Sequence, residues 1–180
     1  RTYANDLPEG GTEEFFDTCK RVVEGTYQIQ KGHVKRLGLP WNDIKAQASA
    51  QEMFERMFAF KWLPPGRGLS KMGTEHMFKI GGACLNNCGF FSTINIGNTD
   101  IDYAFAEPFA WLMDMSMLGI GVGLDTRGAG KVRIIQPIPS PETFVVQDSR
   151  EGWVDFIKQF LQSHVDPKVL CPCSVDYSLV

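Results

Sequence analysis

The sequence predicts an α/β chain with a helical region over residues 1–80. Over 81–180 strands and helices alternate, as in a sheet or barrel built from crossover units. Three observations carry this reading. Apolar residues recur at helical spacing between Phe15 and Phe58. Residues 89–96, Gly-Phe-Phe-Ser-Thr-Ile-Asn-Ile, are rich in aromatic and β-branched types and bounded by Asn and Gly, the pattern of a strand. A helix pattern and a glycine-rich turn follow and lead into a second apolar run. Nothing in 180 residues closes the sheet, so the architecture is expected to be incomplete.

The first helix is expected near Thr12, with Glu13 and Glu14 favouring its positive end. Phe15, Cys19, Val22 and Val23 form its apolar stripe, and Gly32 is the expected stop. A turn at Leu37-Gly38-Leu39-Pro40 follows. Asn42 or Asp43 caps a second helix, buried through Ile44, Ala48, Met53, Phe54, Met57 and Phe58, until Pro64-Pro65-Gly66 ends the pattern. A third helix starts near Glu107, with Pro108 tolerated in its first turn, and runs to Leu118. Gly119-Ile120-Gly121-Val122-Gly123 then turns into a short strand. Val132–Ile138 is a further expected strand. Asp148 or Ser149 caps a last helix with Trp153, Phe156, Ile157, Phe160 and Leu161 on one face. Val175–Val180 is an expected final strand.

Composition narrows the function classes. The chain is 43% hydrophobic and 22% charged with a formal charge of -3, which fits a folded globular domain. No basic excess argues for nucleic acid, and no Lys/Arg run for an anionic membrane. No apolar stretch approaches the roughly 20 residues that span a bilayer. The N-terminus lacks a signal-peptide core and an initiator Met, so residues are expected upstream. Five cysteines, an odd and sparse set, suit a reducing compartment, and a cytoplasmic protein is expected.

Cys84-Leu85-Asn86-Asn87-Cys88 and Cys171-Pro172-Cys173 are the close cysteine pairs. A shared zinc site is disfavoured, because the pairs enclose three residues and one where structural zinc sites prefer two. Cys88 differs from the others in directly preceding a strand, where the backbone can hold a thiol facing a cavity. The neutral alternative is an incidental thiol. Gly119-x-Gly121-x-Gly123 is not a dinucleotide fingerprint, because the helix precedes it and the strand follows. Backbone free of side chains would let a sugar or phosphate approach; a tight helix-to-strand turn explains the glycines as well. Arg67 can pair with an anion or tie two backbone segments together, and the structural role is favoured. His33, His76 and His164 show no ligand spacing, and Met113, Met115 and Met117 suggest core packing.

Several of these segments, in order, resemble one family. They are Phe60-Lys61-Trp62-Leu63-Pro64-Pro65-Gly66-Arg67-Gly68-Leu69 with Met72-Gly73-Thr74-Glu75, then Leu85-Asn86-Asn87-Cys88, then Pro108-Phe109 through Gly123. Asp148-Ser149-Arg150-Glu151-Gly152-Trp153 and Asp176-Tyr177-Ser178-Leu179-Val180 complete the set. The chain is similar, from Arg1 onward, to the adenosylcobalamin-dependent ribonucleoside-triphosphate reductases. That resemblance implies a ten-stranded α/β barrel behind a helical N-terminal region, here incomplete, with the boundary at 80/81. It implies reduction of a ribonucleoside triphosphate at the 2′ carbon by thiyl-radical chemistry, with adenosylcobalamin as cofactor, a dNTP effector and thioredoxin as reductant. Carried over by position, Cys88 is the first reducing cysteine, and Asn87, Gly119 and Gly121 form the wall beside the substrate ribose. Cys84, Cys171 and Cys173 match no family role. The resemblance further implies that the second reducing cysteine, the radical cysteine and the cobalamin face lie outside these residues, so that the chain alone is expected to be inactive and to fold poorly. The large subunit of an iron-dependent ribonucleoside-diphosphate reductase shares the barrel and stays open as an alternative. A non-catalytic zinc- or nucleotide-binding module is the alternative from another class.

Overall fold

A computed structural model describes residues 2–180; Arg1, where the resemblance begins, lies outside the described residues. The chain divides into two compact units, 1–86 and 87–180.

The first unit is helical. Helix α1 spans Phe15–Arg36 and helix α2 spans Asp43–Phe58. Cys19, Val22 and Val23 of α1, Met57 of α2 and Leu69 form the buried core. Helix α1 begins later than expected because Glu14 and Asp17 close a reciprocal capping box. Gly32 does not stop it. The true stop is Gly38, at φ +68, where Leu39 N–H reaches Val34 O at 3.1 Å and Gly38 N–H reaches Lys35 O at 3.0 Å. Those two bonds satisfy the last carbonyls through a left-handed cap. Helix α2 is capped as expected, its Asn42 side chain accepting from Lys45 N–H at 2.9 Å. Its buried face is narrower than expected: Ile44 is 85% exposed and Phe58 47%. Thirteen residues at about 100° each set Ile44 roughly 140° away from Met57, on the other side of the helix.

Two short helices missed by the sequence reading follow, α3 (Gly66–Lys71) and α4 (Glu75–Ile80), then a 3₁₀ turn at Gly82–Leu85. Helix α2 ends before Pro64-Pro65 is reached: Phe60, at φ +55, closes it, with Phe60 N–H on Met57 O at 3.0 Å and Lys61 N–H on Arg56 O at 2.9 Å, and the prolines instead lead into α3, since proline is tolerated at the entrance to a helix. The unit is tied by Glu13 and Arg21, whose side chains are 7% and 14% exposed. Arg21 bonds Glu13 at 2.6 Å and 2.9 Å and also donates to the carbonyls of Leu69 and Met72. Arg67 donates to the carbonyl of Cys84 at 3.3 Å, the backbone-tying role expected of it. The Cys84 thiol is buried against Gly81 O.

The second unit mixes strand and helix. Strand β1 (Cys88–Phe91), helix α5 (Glu107–Met117) and strand β2 (Gly121–Leu124) form a crossover in which β1 and β2 pair in parallel. Strands β3 (Phe144–Val145) and β4 (Val175–Asp176) form a second parallel pair around helix α6 (Arg150–Gln162). The α/β class is therefore as expected, with shorter strands. After Phe91 the Ser92 hydroxyl accepts from Ile94 N–H at 3.3 Å and a 3₁₀ turn (Thr93–Asn95) replaces the rest of the expected strand. The expected strand at 132–138 is absent, with Ile134 59% and Ile138 48% exposed. The final strand is only two residues long. Helix α6 is capped by Ser149, which accepts from Gly152 N–H at 3.1 Å. It joins α5 through Lys158–Glu107 at 2.8 Å and an Arg150–Asp114 ion pair. The methionine run only partly packs: Met117 is 42% exposed, because residues two apart on a helix cannot share a face. Among the described residues no helix is long and apolar enough to cross a membrane.

Candidate active-site wall

The β1–α5–β2 crossover brings three of the four expected site residues together. Gly121 N–H donates to Asn87 O at 2.9 Å, and the register then sets Cys88 beside Gly121, Gly89 beside Val122 and Phe90 beside Gly123. Alternate residues of a strand face opposite ways. Gly89 and Phe91 turn toward α5, where Phe91 meets Trp111 at 5.4 Å between ring centroids. Cys88 and Phe90 face the other way, and both are exposed. In a barrel the crossover helices lie outside, so the face bearing Cys88, Phe90, Gly121 and Gly123 is the inner one.

The glycines on this wall have different reasons to be glycine. Gly119 adopts φ +77 and closes α5: Gly119 N–H reaches Ser116 O at 2.8 Å and Ile120 N–H reaches Met115 O at 3.1 Å. The tight-turn reading accounts for it. Gly89 is required by packing, since a Cβ there would sit 2.8 Å from the Trp111 ring. Gly121 has neither constraint: its nearest neighbour to a Cβ would be Asn87 O at 3.5 Å, an ordinary contact. Space beside the Cys88 thiol is left open where the fold would accept a methyl group.

The sequence reading missed the residue that holds this arrangement. Asp125, directly after β2, accepts from Ser92 Oγ at 2.6 Å, from Thr93 N–H and Oγ1 at 2.8 Å each, and from Arg127 N–H at 3.2 Å. It thereby locks the ends of β1 and β2 together. The Ser92 hydrogen bond foremost, with those from Thr93 and Arg127 and against the opposing effect of burial, holds its carboxyl far below the usual range. The signal was present as Ser-Thr after one strand and Asp after the next, but only the pairing of the strands connects them. Among the described residues no group of three or more His, Cys, Asp or Glu is placed to hold a metal ion.

Comparison with known proteins agrees with this geometry. A family profile described as the ribonucleotide reductase alpha domain matches residues 1–74. A probable adenosylcobalamin-dependent ribonucleoside-triphosphate reductase of Dictyostelium discoideum is 42% identical over 91% of this chain and 23% of its own length. An adenosylcobalamin-dependent ribonucleoside-triphosphate reductase of Euglena gracilis is also 42% identical, over 91% of this chain and 22% of its own. A crystal structure of a B12-dependent (class II) ribonucleotide reductase superposes on all of this chain and 31% of its own, with TM-score 0.75 at 26% identity. Over nearly its whole length this chain is similar to the adenosylcobalamin-dependent ribonucleotide reductases. It spans under a quarter of the length of the two curated relatives. The α/β barrel that the resemblance implied is the architecture of the reductase it superposes on, and β1–α5–β2 is a crossover unit of that kind of fold.

Proposed function

We propose that the protein containing this chain reduces ribonucleoside triphosphates to 2′-deoxyribonucleoside triphosphates for DNA synthesis. In this reading residues 1–80 are the helical N-terminal region and 81–180 the first part of the catalytic barrel. Cys88 is the reducing thiol, and Asn87, Gly119 and Gly121 are the wall beside the ribose. The observation that supports this most is the exposed Cys88 in register with a glycine that packing does not require, on the strand face opposite the helix.

The chemistry follows from that placement. Removing the 2′-hydroxyl as water and leaving hydrogen on C2′ takes two electrons and two protons. Cys88 supplies half of each and a second thiol the other half, and the two sulfurs join as a disulfide. Thioredoxin then returns them to thiols by exchange. Asn87 uses its backbone carbonyl to fix β2 and is exposed beside the ribose, while Gly121 lets the sugar approach the backbone. Adenosylcobalamin, named for the relatives, would supply the radical that opens the reaction. A dNTP effector and a cytoplasmic location belong to the same reading.

The test uses the full-length protein with adenosylcobalamin and thioredoxin. Cofactor-dependent formation of deoxynucleotide, abolished in Cys88→Ser, is expected. Turnover unchanged in Cys88→Ser would remove the site assignment. Activity with an iron-bearing radical partner and none with adenosylcobalamin would remove the cofactor assignment.

A further inference from the structure

Cys171-Pro172-Cys173 lies away from the wall just described and has no part in the reduction proposed above. We infer that Cys171 and Cys173 form a thiol pair that low-molecular-weight disulfides oxidise reversibly to an intrachain disulfide, with exposed Cys173 as the attacking thiol and buried Cys171 as the resolving one.

The backbone arranges the pair before any oxidation. Cys173 N–H donates to Cys171 O at 2.8 Å, which closes a three-residue turn on Pro172. Proline sets φ near −65°, close to what such a turn needs. Two Cα–Cα steps of about 3.8 Å folded by that bond bring the outer Cα atoms to roughly 5.5 Å, inside the range a disulfide spans. Cys171 is itself anchored: its N–H reaches Ile138 O at 2.7 Å, and its carbonyl also takes Ser140 N–H at 2.8 Å. Beyond Cys173, Ser174 O accepts from Phe144 N–H at 2.9 Å and β4 begins. Both ends of the tripeptide are therefore held by backbone hydrogen bonds, which keep the two Cα atoms within disulfide range.

Exposure divides the roles. Cys171 is 2% exposed and Cys173 is exposed, and both are free thiols. An external disulfide reaches Cys173 alone. The hydrogen bond with the Cys171 sulfur foremost, with some loss of hydration at an otherwise exposed group, raises the Cys173 thiol above its ordinary range. Cys173 is consequently mostly protonated at neutral pH and attacks faster as pH rises.

The exchange balances without another reactant. Cys173 loses its proton and attacks one sulfur of, for example, glutathione disulfide. The Cys173–glutathione S–S bond forms, and one glutathione leaves as thiolate and takes up a proton. Cys171 then loses its proton and attacks the Cys173 sulfur, the Cys171–Cys173 bond forms, and the second glutathione leaves. Two protein thiols are oxidised and one external disulfide is reduced to two thiols.

The test is peptide mass mapping of the full-length protein after exposure to glutathione disulfide and alkylation of remaining thiols. Mapping separates the Cys88 peptide from the one holding Cys171 and Cys173, since Arg150 and Lys168 lie between them. The expected wild-type product is the Cys171–Cys173 peptide lighter by two hydrogens and refractory to alkylation, restored by dithiothreitol. The first attack, by Cys173, should speed up about tenfold per pH unit while the pH stays below that thiol's raised pKa. Cys171→Ser is expected to stop at a stable glutathione adduct on Cys173, and Cys173→Ser to take up none. Because Cys171 is buried, a second measurement on the unmutated protein guards the result: a monosubstituted arsenic(III) reagent should bridge both thiols and block closure. Wild-type protein that accumulates the Cys173 adduct without closing, or alkylates fully at both positions, overturns the inference.

Discussion

Gly89 and Gly121 are both glycines of the β1–β2 pair, yet the structure predicts opposite outcomes for the same change to alanine. Neither has a left-handed backbone, so alanine is conformationally permitted at both. Each substitution removes freedom from the unfolded chain and on that account stabilises by about 0.4–1 kcal/mol. At Gly121 nothing opposes this, because the new methyl group meets Asn87 O at 3.5 Å. At Gly89 the methyl group would lie 2.8 Å from Trp111 Cη2 and 3.2 Å from Cζ2, so the indole and its helix must give way. Overpacking of this kind costs about 1–3 kcal/mol, leaving a net loss of about 1 kcal/mol at the middle of both ranges and up to about 2.6 kcal/mol. Activity should run the other way. Gly121→Ala fills the space beside Cys88 and is expected to lower kcat/KM at least about tenfold, equal to about 1.4 kcal/mol of transition-state binding. The assays are denaturant unfolding followed by tryptophan fluorescence and cofactor-dependent turnover, both on the full-length protein. A Gly121→Ala protein that is stable and fully active would refute the wall assignment.

Three further outcomes are expected. Glu13→Ala strands the Arg21 guanidinium at 14% exposure and should destabilise by about 2–3 kcal/mol in denaturant unfolding, whereas Glu13→Ala with Arg21→Met should recover part of the loss. Burial would raise the Glu13 carboxyl, but the hydrogen bonds from Arg21 and the Asn5 backbone outweigh it and the net shift is downward. Its stabilising effect is thus present above its ordinary 4.5 and is lost as pH falls through the lowered value. Asp125 has the same sign: the thermal midpoint gap between wild type and Asp125→Asn should stay constant from about pH 8 down to its ordinary 3.8 and close only below it. A gap already gone at about pH 6 would contradict the carboxylate clamp. Gly73→Ala should be poorly tolerated, since φ is +78 and a Cβ would lie 2.3 Å from Arg21 O; loss of soluble protein or a large drop in unfolding midpoint is the readout.

What the sequence made legible was local. Asn42 and Ser149 announce helices because a side chain and a backbone N–H three residues on suffice to make the cap. Cys88, Asn87, Gly119 and Gly121 could be singled out by motif, but their relation needed the parallel register. Residues 132–138 show the limit from the other side. Val132, Ile134 and Ile135 have strand-forming side chains, yet among the described residues that segment's one long-range backbone bond outside the Cys171 bridge is Ile135 N–H to His164 O at 2.7 Å. Propensity without a neighbouring ladder makes no strand. Gly32 misled for a related reason: an exposed helix tolerates a glycine, and a stop requires a left-handed residue whose following N–H groups turn back, as at Gly38.

The Asp125 clamp also bears on time. Its bonds to Thr93 close a 32-residue separation, whereas α5 within that span needs only contacts three and four apart. Local turns form before such a loop closes, so β1 and β2 are expected to find their register late in folding. Interactions made after the rate-limiting barrier leave the folding rate nearly untouched and govern how long the native state lasts. Asp125 is then a device for durability: without it Cys88 and Gly121 would come together at an almost unchanged pace and part much sooner.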